Sequence, residues 1–356
     1  MRLARLFLAV LLGAAPALAA GRQQRFLPPG EVYRHALSGL GIPAALPGTP
    51  PRGPLTILEP DLDESLRYDS DDGTEAVTLF IYRNVAGSVP LWVDRAAQQI
   101  LSRDIYGGPT PLGPPQPFTP PGQASASGMM QIFSVAKPPY RSTGVALLPL
   151  GRDWYVKLRY SSARIAAEEL AAKMLAILAA LEWPKAIAPA PAAAPIADCA
   201  TPLAAKAGAR PREQDLLASV LMQSVARDAA EGAAKDAQPA APAAVFCRDP
   251  IARPALGNAG VYRAGGAADA YLIAFTDAGR GVVAAPDTLG ALLGKKARLD
   301  FSVTLVDLGQ SYVYAPRDRL PPPEELLAII NGEKPVSSVS TKGKGGDITI
   351  SDKLLK

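Results

Sequence analysis

The sequence predicts an α+β protein of two domains, each a small, mainly antiparallel sheet flanked by helices. Three observations predict it. Short segments alternate apolar and polar side chains with the two-residue period of a strand, most cleanly at 154–160. Other segments, such as 163–182, carry apolar residues at helical spacing. A run of alanine and proline at 185–197 divides the chain, because repeated proline favours an extended spacer over a packed element. The divisions expected are a domain at 21–184, the linker at 185–197, a second domain at 198–332 and a flexible tail at 333–356.

In the first domain, 21–54 is rich in Pro and Gly, with a short helix expected around 32–40. Residues 55–58 read as a strand. Asp72-Gly73 is a preferred turn dipeptide and sets a hairpin between 66–70 and 75–82. The second arm is apolar on both faces, as a central strand covered on both sides would be. Ser88 can cap the next helix, with Pro90 in its first turn and Val89, Val93, Ala96 and Ile100 on one side. The Gly-, Pro- and Ser-rich stretch 107–128 reads as a long mobile loop. Residues 129–135 and 143–148 read as strands, Arg152-Asp153 as a turn, and 154–160 as the next strand. The helix at 163–182 has Leu170, Met174, Ile177, Leu178 and Leu181 as its stripe, and Trp183-Pro184 ends it.

In the second domain, Pro211 opens a helix carrying Leu217, Val220, Leu221 and Val225. Residues 232–244 read as a loop, and 245–248 and 260–263 as short strands. A hairpin is expected between 271–276 and 281–285 around Asp277-Ala278-Gly279. A short helix follows at 288–293. Residues 299–305 alternate strictly and should pair with 311–314. The helix 323–330 ends at Asn331-Gly332, residue types that favour a helix C-terminus. In the tail, 347–350 reads as a strand.

The first twenty residues have the layout of a secretory signal peptide: Arg2 and Arg5, an apolar core from Leu6 to Leu12, then Ala17 and Ala19 at small-residue positions. The expectation is a periplasmic or secreted protein with no transmembrane segment after cleavage. The formal charge of +4 includes Arg2 and Arg5, so the cleaved chain carries +2. Such a balance gives no footing for nucleic acid. The two cysteines, Cys199 and Cys247, should form a disulfide in an oxidising compartment, and no C-x-x-C spacing suggests a redox pair.

The hairpin Arg67-Tyr68 … Asp72-Gly73-Thr74 … Thr78-Leu79-Phe80-Ile81-Tyr82, the strand Trp154-Tyr155-Val156-Lys157-Leu158-Arg159-Tyr160 and the helix end Ala180-Leu181-Glu182-Trp183 occur in an order that resembles exported proteins with a PsbP/Mog1-like fold. The resemblance covers about residues 55–184. It implies an antiparallel sheet flanked by helices, used for binding or scaffolding in several systems rather than for one reaction.

Catalytic chemistry has little to work with. His35 is the only histidine, and nothing near it in sequence orients it, so a structural or surface role is expected. Multi-histidine zinc sites are excluded, and a bonded cysteine pair removes thiolate sites. Ser134-x-x-Lys137 matches the spacing of serine–lysine acylases but falls in a strand-like segment before Pro138-Pro139. Asp69-x-Asp71-Asp72-Gly73 lacks the later ligands of a calcium loop. No phosphate-binding glycine loop occurs, and no cofactor is implied. The positive signal is a row of Tyr155, Lys157 and Arg159 on one strand face, with Arg83 on another strand. Such a basic, aromatic face can hold an anionic ligand or a partner, and it is also what a solvated strand face presents. The sequence thus favours a non-catalytic, exported binding or interaction protein whose partner is an envelope protein or a small anion. The alternative is an envelope enzyme, a hydrolase for instance, with a carboxylate site between domains.

Overall fold

The computed structural model describes residues 22–212, 245–287, 300–340 and 348–350. The expected signal peptide, most of the helix expected from Pro211, the expected 232–244 loop, the helix expected at 288–293 and most of the expected tail lie outside the described residues.

The first half contains β1 (Gln23–Arg25), β2 (Tyr33–Arg34), β3 (Gly41–Ile42), β4 (Leu55–Glu59), β5 (Asp63–Asp69), β6 (Glu75–Arg83), helix α1 (Val89–Leu101), β7 (Thr110–Pro111), β8 (Gln116–Phe118), β9 (Gly128–Ser134), β10 (Ser142–Leu150), β11 (Trp154–Ser162) and helix α2 (Ala167–Ala179). The second contains β12 (Ala197–Asp198), β13 (Phe246–Arg248), β14 (Gly260–Ala264), β15 (Tyr271–Ala274), β16 (Gly281–Pro286), β17 (Phe301–Val306), β18 (Gln310–Arg317), helix α3 (Pro323–Gly332), β19 (Ser337–Ser340) and β20 (Ile348–Ile350).

Two nine-stranded sheets dominate. The first runs β1-β4-β5-β6-β11-β10-β9-β7, with β8 also on β9; the second runs in chain order from β12 to β20. All pairs are antiparallel except β12 with β13. With three α-helices among the described residues, the chain is mainly β, which corrects the expected α+β balance. The reason is local: Pro- and Gly-rich stretches that promised no regular structure supply short edge strands instead. The loop expected at 107–128 contributes β7 and β8, both paired to β9. The helix expected around 32–40 is replaced by the ladder of β2 with β3.

The hairpins form where turn chemistry placed them. Gly73 adopts φ +69°, and Asp72 Oδ1 accepts hydrogen bonds from Thr74 N (3.0 Å), Thr74 Oγ1 (2.6 Å) and Ser70 Oγ (2.6 Å). These bonds and the salt bridge to Arg164 at 3.0 Å hold the Asp72 carboxylate below the usual range. The acidic cluster at 69–72 therefore locks a turn.

β6 and β11 form the centre of the first sheet. Ile81, Leu79 and Val77 pair with Val156, Leu158 and Tyr160 on one face; Tyr82 and Phe80 pair with Tyr155 and Lys157 on the other. α2 covers the first of these faces: a side chain at Gly144, which pairs with Tyr160, would meet Met174 of α2. α1 starts at Ser88, whose hydroxyl accepts from Leu91 N, and packs along β9 and β10 through Leu91, Val93, Ala96 and Ile100. Tyr262, Leu272, Ala274 and Leu308 of the second half belong to the same apolar core. The 185–197 segment lies against the first half, with Ala193 N donating to Ala126 O (2.9 Å) and Ile187 and Ile196 packed on its core.

Candidate functional site

The predicted basic face is not open. Tyr155 and Lys157 are buried, Lys157 to 1% exposure, and its ammonium sits 4.5 Å from the Phe80 ring centroid and 5.3 Å from that of Tyr82. The turn between β15 and β16 fills the position a ligand would take. Lys157 Nζ donates to Asp277 O at 2.8 Å and lies 3.1 Å from Asp277 Oδ2; Arg159 Nη1 lies 3.7 Å from the same oxygen. Burial pushes the Asp277 carboxyl up, but Lys157 and Arg159 outweigh it and hold it at about 2. Gly279 has φ +82°, and an added Cβ would come 3.2 Å from Arg83 O and 3.4 Å from the Tyr82 ring, so a side chain there would be strained. Arg83 Nη1 reaches Leu308 O at 3.4 Å. Thus Tyr155, Lys157 and Arg159 share a face that meets the chain's own second half, whereas Arg83 pairs with Trp154 and belongs to the opposite face of the sheet, with Ile81 and Val156.

A second seam lies beside it. Arg280 bonds Asp63 Oδ2 (2.7 Å) and Asp307 Oδ1 (2.7 Å), with Glu59 Oε2 at 3.5 Å. Burial raises the Asp63 carboxyl, and Arg280 partly offsets the rise.

Among the described residues a groove lies open between α1 and the second sheet. Its polar part, about 470 Å³, is lined by Arg95, Gln98, Gln99 and Ser102 of α1 and the residue following it, and by Asp198, 248–253 and 256–262. It continues into a part of about 460 Å³ that shares Gln99, Ser102, Leu256, Asn258 and Ala259 and adds Arg103, Phe275 and Thr276. Arg95, Gln98, Gln99 and Ser102 recur at helical spacing, so α1 has a polar stripe besides its apolar one. That stripe was legible in the sequence.

The arginines of the groove differ. Arg248 is paired with two carboxylates: Nη1 bonds Asp94 Oδ1 at 2.8 Å, and Nε (3.0 Å) and Nη2 (2.8 Å) bond Asp198 Oδ1. Arg253 Nη1 reaches both oxygens of Glu324 at 3.1 Å, with Asp249 at 3.9 Å. Tyr262 donates to Asp94 Oδ2 at 2.5 Å, and burial with that carboxylate pushes its phenol well up. Arg95 is 3% exposed, and its Nε and Nη2 have no hydrogen-bond partner among the described residues. The guanidinium passes Gly260, where an added Cβ would sit 3.0 Å from Arg95 Cδ and 2.8 Å from the Tyr262 ring. The Tyr262 hydroxyl interacts with this guanidinium, and the two unpartnered nitrogens are closed to solvent beside the groove; a buried cation with spare donors can donate hydrogen bonds to an anion.

The disulfide joins Cys199 to Cys247. It ties β12 to β13, whose register sets Asp198 opposite Arg248 at one end of the groove.

His35 is not a surface residue: it is 1% exposed and edges onto Trp154 with ring centroids 4.7 Å apart. Ser38 Oγ lies 2.8 Å from Nδ1, and Ser38 N also donates to Nδ1 at 3.1 Å, so Nδ1 is an acceptor. Leu40 N donates back to Ser38 Oγ at 3.3 Å. Burial lowers the imidazole pKa, and the backbone of Asp61 opposes the drop. This network closes the turn between β2 and β3; neither residue lines the groove. The Ser134 and Lys137 side chains have separate partners, Thr110 O (3.4 Å) and Asp104 O (2.6 Å). Among the described residues no three acidic, Cys or His side chains are grouped to hold a metal, and no helix is long and apolar enough to cross a membrane.

Comparisons with protein-family models, with curated proteins and with solved structures found no match for this chain.

Proposed function

We propose that this chain is an exported, non-catalytic binding protein whose ligand is a small anion held in the groove between α1 and the second sheet. The observation that carries the reading is Arg95: a guanidinium almost wholly buried, lining a groove, with two nitrogens unpartnered. Leaving such a group unpaired costs several kcal/mol, a cost a bound carboxylate or phosphate would offset through charge-assisted hydrogen bonds. Gln98, Gln99 and Asn258 supply neutral hydrogen-bonding groups beside it. The disulfide fits an oxidising compartment, as export requires. The PsbP/Mog1-like resemblance of residues 55–184 supports a binding role by analogy of fold.

A carboxylate-based hydrolase site in the same groove is disfavoured because its acids are already engaged, Asp198 by Arg248 and Asp249 with Arg253. The test is calorimetric titration of the disulfide-intact chain with inorganic phosphate and acetate. Binding that is lost in Arg95→Ala and weakened in Arg95→Lys supports the proposal. Absence of binding by either anion, or turnover of an ester or glycoside substrate that depends on Asp198 or Asp249, overturns it.

A further inference from the structure

We infer that the ligand is an amphiphilic organic anion, with its charged head at Arg95 and an apolar body lying toward Phe275. The inference rests on the anion-binding reading above and names the ligand class of that same site.

The groove changes character along its length. At the Arg95 end its walls are Gln98, Arg248, Asp249 and Arg253. The far part keeps Leu256 and Ala259, loses Arg248, Asp249 and Arg253, and adds the half-buried Phe275 together with Arg103 and Thr276. From Arg95 to Ser102 the helix advances by seven residues, about 11 Å at 1.5 Å per residue. A bare inorganic anion would occupy only the first part of that length. The apolar end would then stay hydrated beside an aromatic ring, with no gain from the surface it offers. A molecule with one anionic group and several methylenes, or an aryl ring, satisfies both ends at once.

The experiment titrates the full disulfide-intact chain with acetate, octanoate and octanol. The expected result is octanoate binding at least tenfold tighter than acetate, since two buried methylenes already supply that factor. Octanol should bind at least tenfold more weakly than octanoate. Arg95→Ala should weaken acetate and octanoate alike. Phe275→Ala, which removes an apolar wall that only the far part of the groove has, should weaken octanoate at least tenfold and leave acetate within twofold. Circular dichroism checks that both variants fold, and Thr276→Phe, which fills the far part from an exposed position, serves as the second probe with the same expected result if Phe275→Ala does not fold. Equal affinities for acetate and octanoate would overturn the amphiphile while leaving the anion site standing. Octanoate binding that is indifferent to Arg95 would overturn the head placement. Failure of both anions to bind would remove the anion-binding reading itself.

Discussion

Lys157 of β11 and Asp277 of the β15–β16 turn, 120 residues apart, meet in the interior, with the ammonium 2.8 Å from the Asp277 carbonyl and 3.1 Å from its carboxylate. The pair joins the two sheets, and Arg159 shares the carboxylate. A buried pair of this kind contributes little against a well-packed apolar replacement, but removal of one partner strands a charge.

Asp277→Asn should therefore destabilise the protein by about 3–5 kcal/mol, and Lys157→Met by a similar amount. Combining Lys157→Met with Asp277→Asn should cost clearly less than the two single losses together. Urea unfolding of the four proteins measures the coupling, and strict additivity would contradict the pairing.

Arg280→Met leaves Asp63 buried with its main compensating charge gone. The loss should again be about 3–5 kcal/mol at pH 7. Because burial already raises the Asp63 carboxyl, protonation relieves the stranded charge, so the deficit should shrink as pH falls toward 4. Denaturant midpoints at the two pH values decide this.

His35 sets the sign of a pH effect. Its folded pKa lies below the ordinary value of 6.5, so below that value the unfolded chain takes up protons that the folded chain refuses. Stability should fall as pH drops from about 7 through 6. His35→Gln should flatten that part of the profile. Asp277, held at about 2 against an ordinary 3.8, adds a second loss in the window between those values. Melting temperatures from pH 7.5 to 2.5, with and without the substitution, separate the two.

Replacing Cys199 and Cys247 by Ser reopens a loop of separation 48, a loss of about 4 kcal/mol on chain entropy. β12 should loosen from β13, and anion affinity should fall because the Asp198–Arg248 end of the groove loses its tether. Unchanged affinity in the folded double variant would show that this end is not part of the site.

Gly260→Val should abolish anion binding, because the new side chain would displace Arg95 from its path and press on the buried Tyr262 ring; circular dichroism checks that the variant folds. Retained affinity would show that Arg95 does not need that path.

Much of the architecture was legible because it rests on local rules. The Asp72-Gly73 turn, the Ser88-capped helix, the alternation of β11 and the turn at Asp277-Ala278-Gly279 all follow from residue type and period. The short strands inside 107–128 were not legible, since edge strands of two or three residues are held by the neighbour they pair with, β9, rather than by their own pattern. The same limit governed the site. Alternation placed Tyr155, Lys157 and Arg159 in a row, and the row exists. Alternation says which residues share a face and is silent on what covers it.

By itself, then, the sequence determined the strand at 154–160, the turns, the amphipathic helices, the cysteine pair and the scarcity of catalytic side chains. Only the tertiary structure decided that the basic row is satisfied internally by Asp277 while Arg95, on a helix read for its apolar stripe alone, is left with spare donors beside a groove. The physical reason is that charge pairing acts through space: which cation meets which carboxylate depends on the crossing of two sheets, and no local pattern along the chain records that crossing.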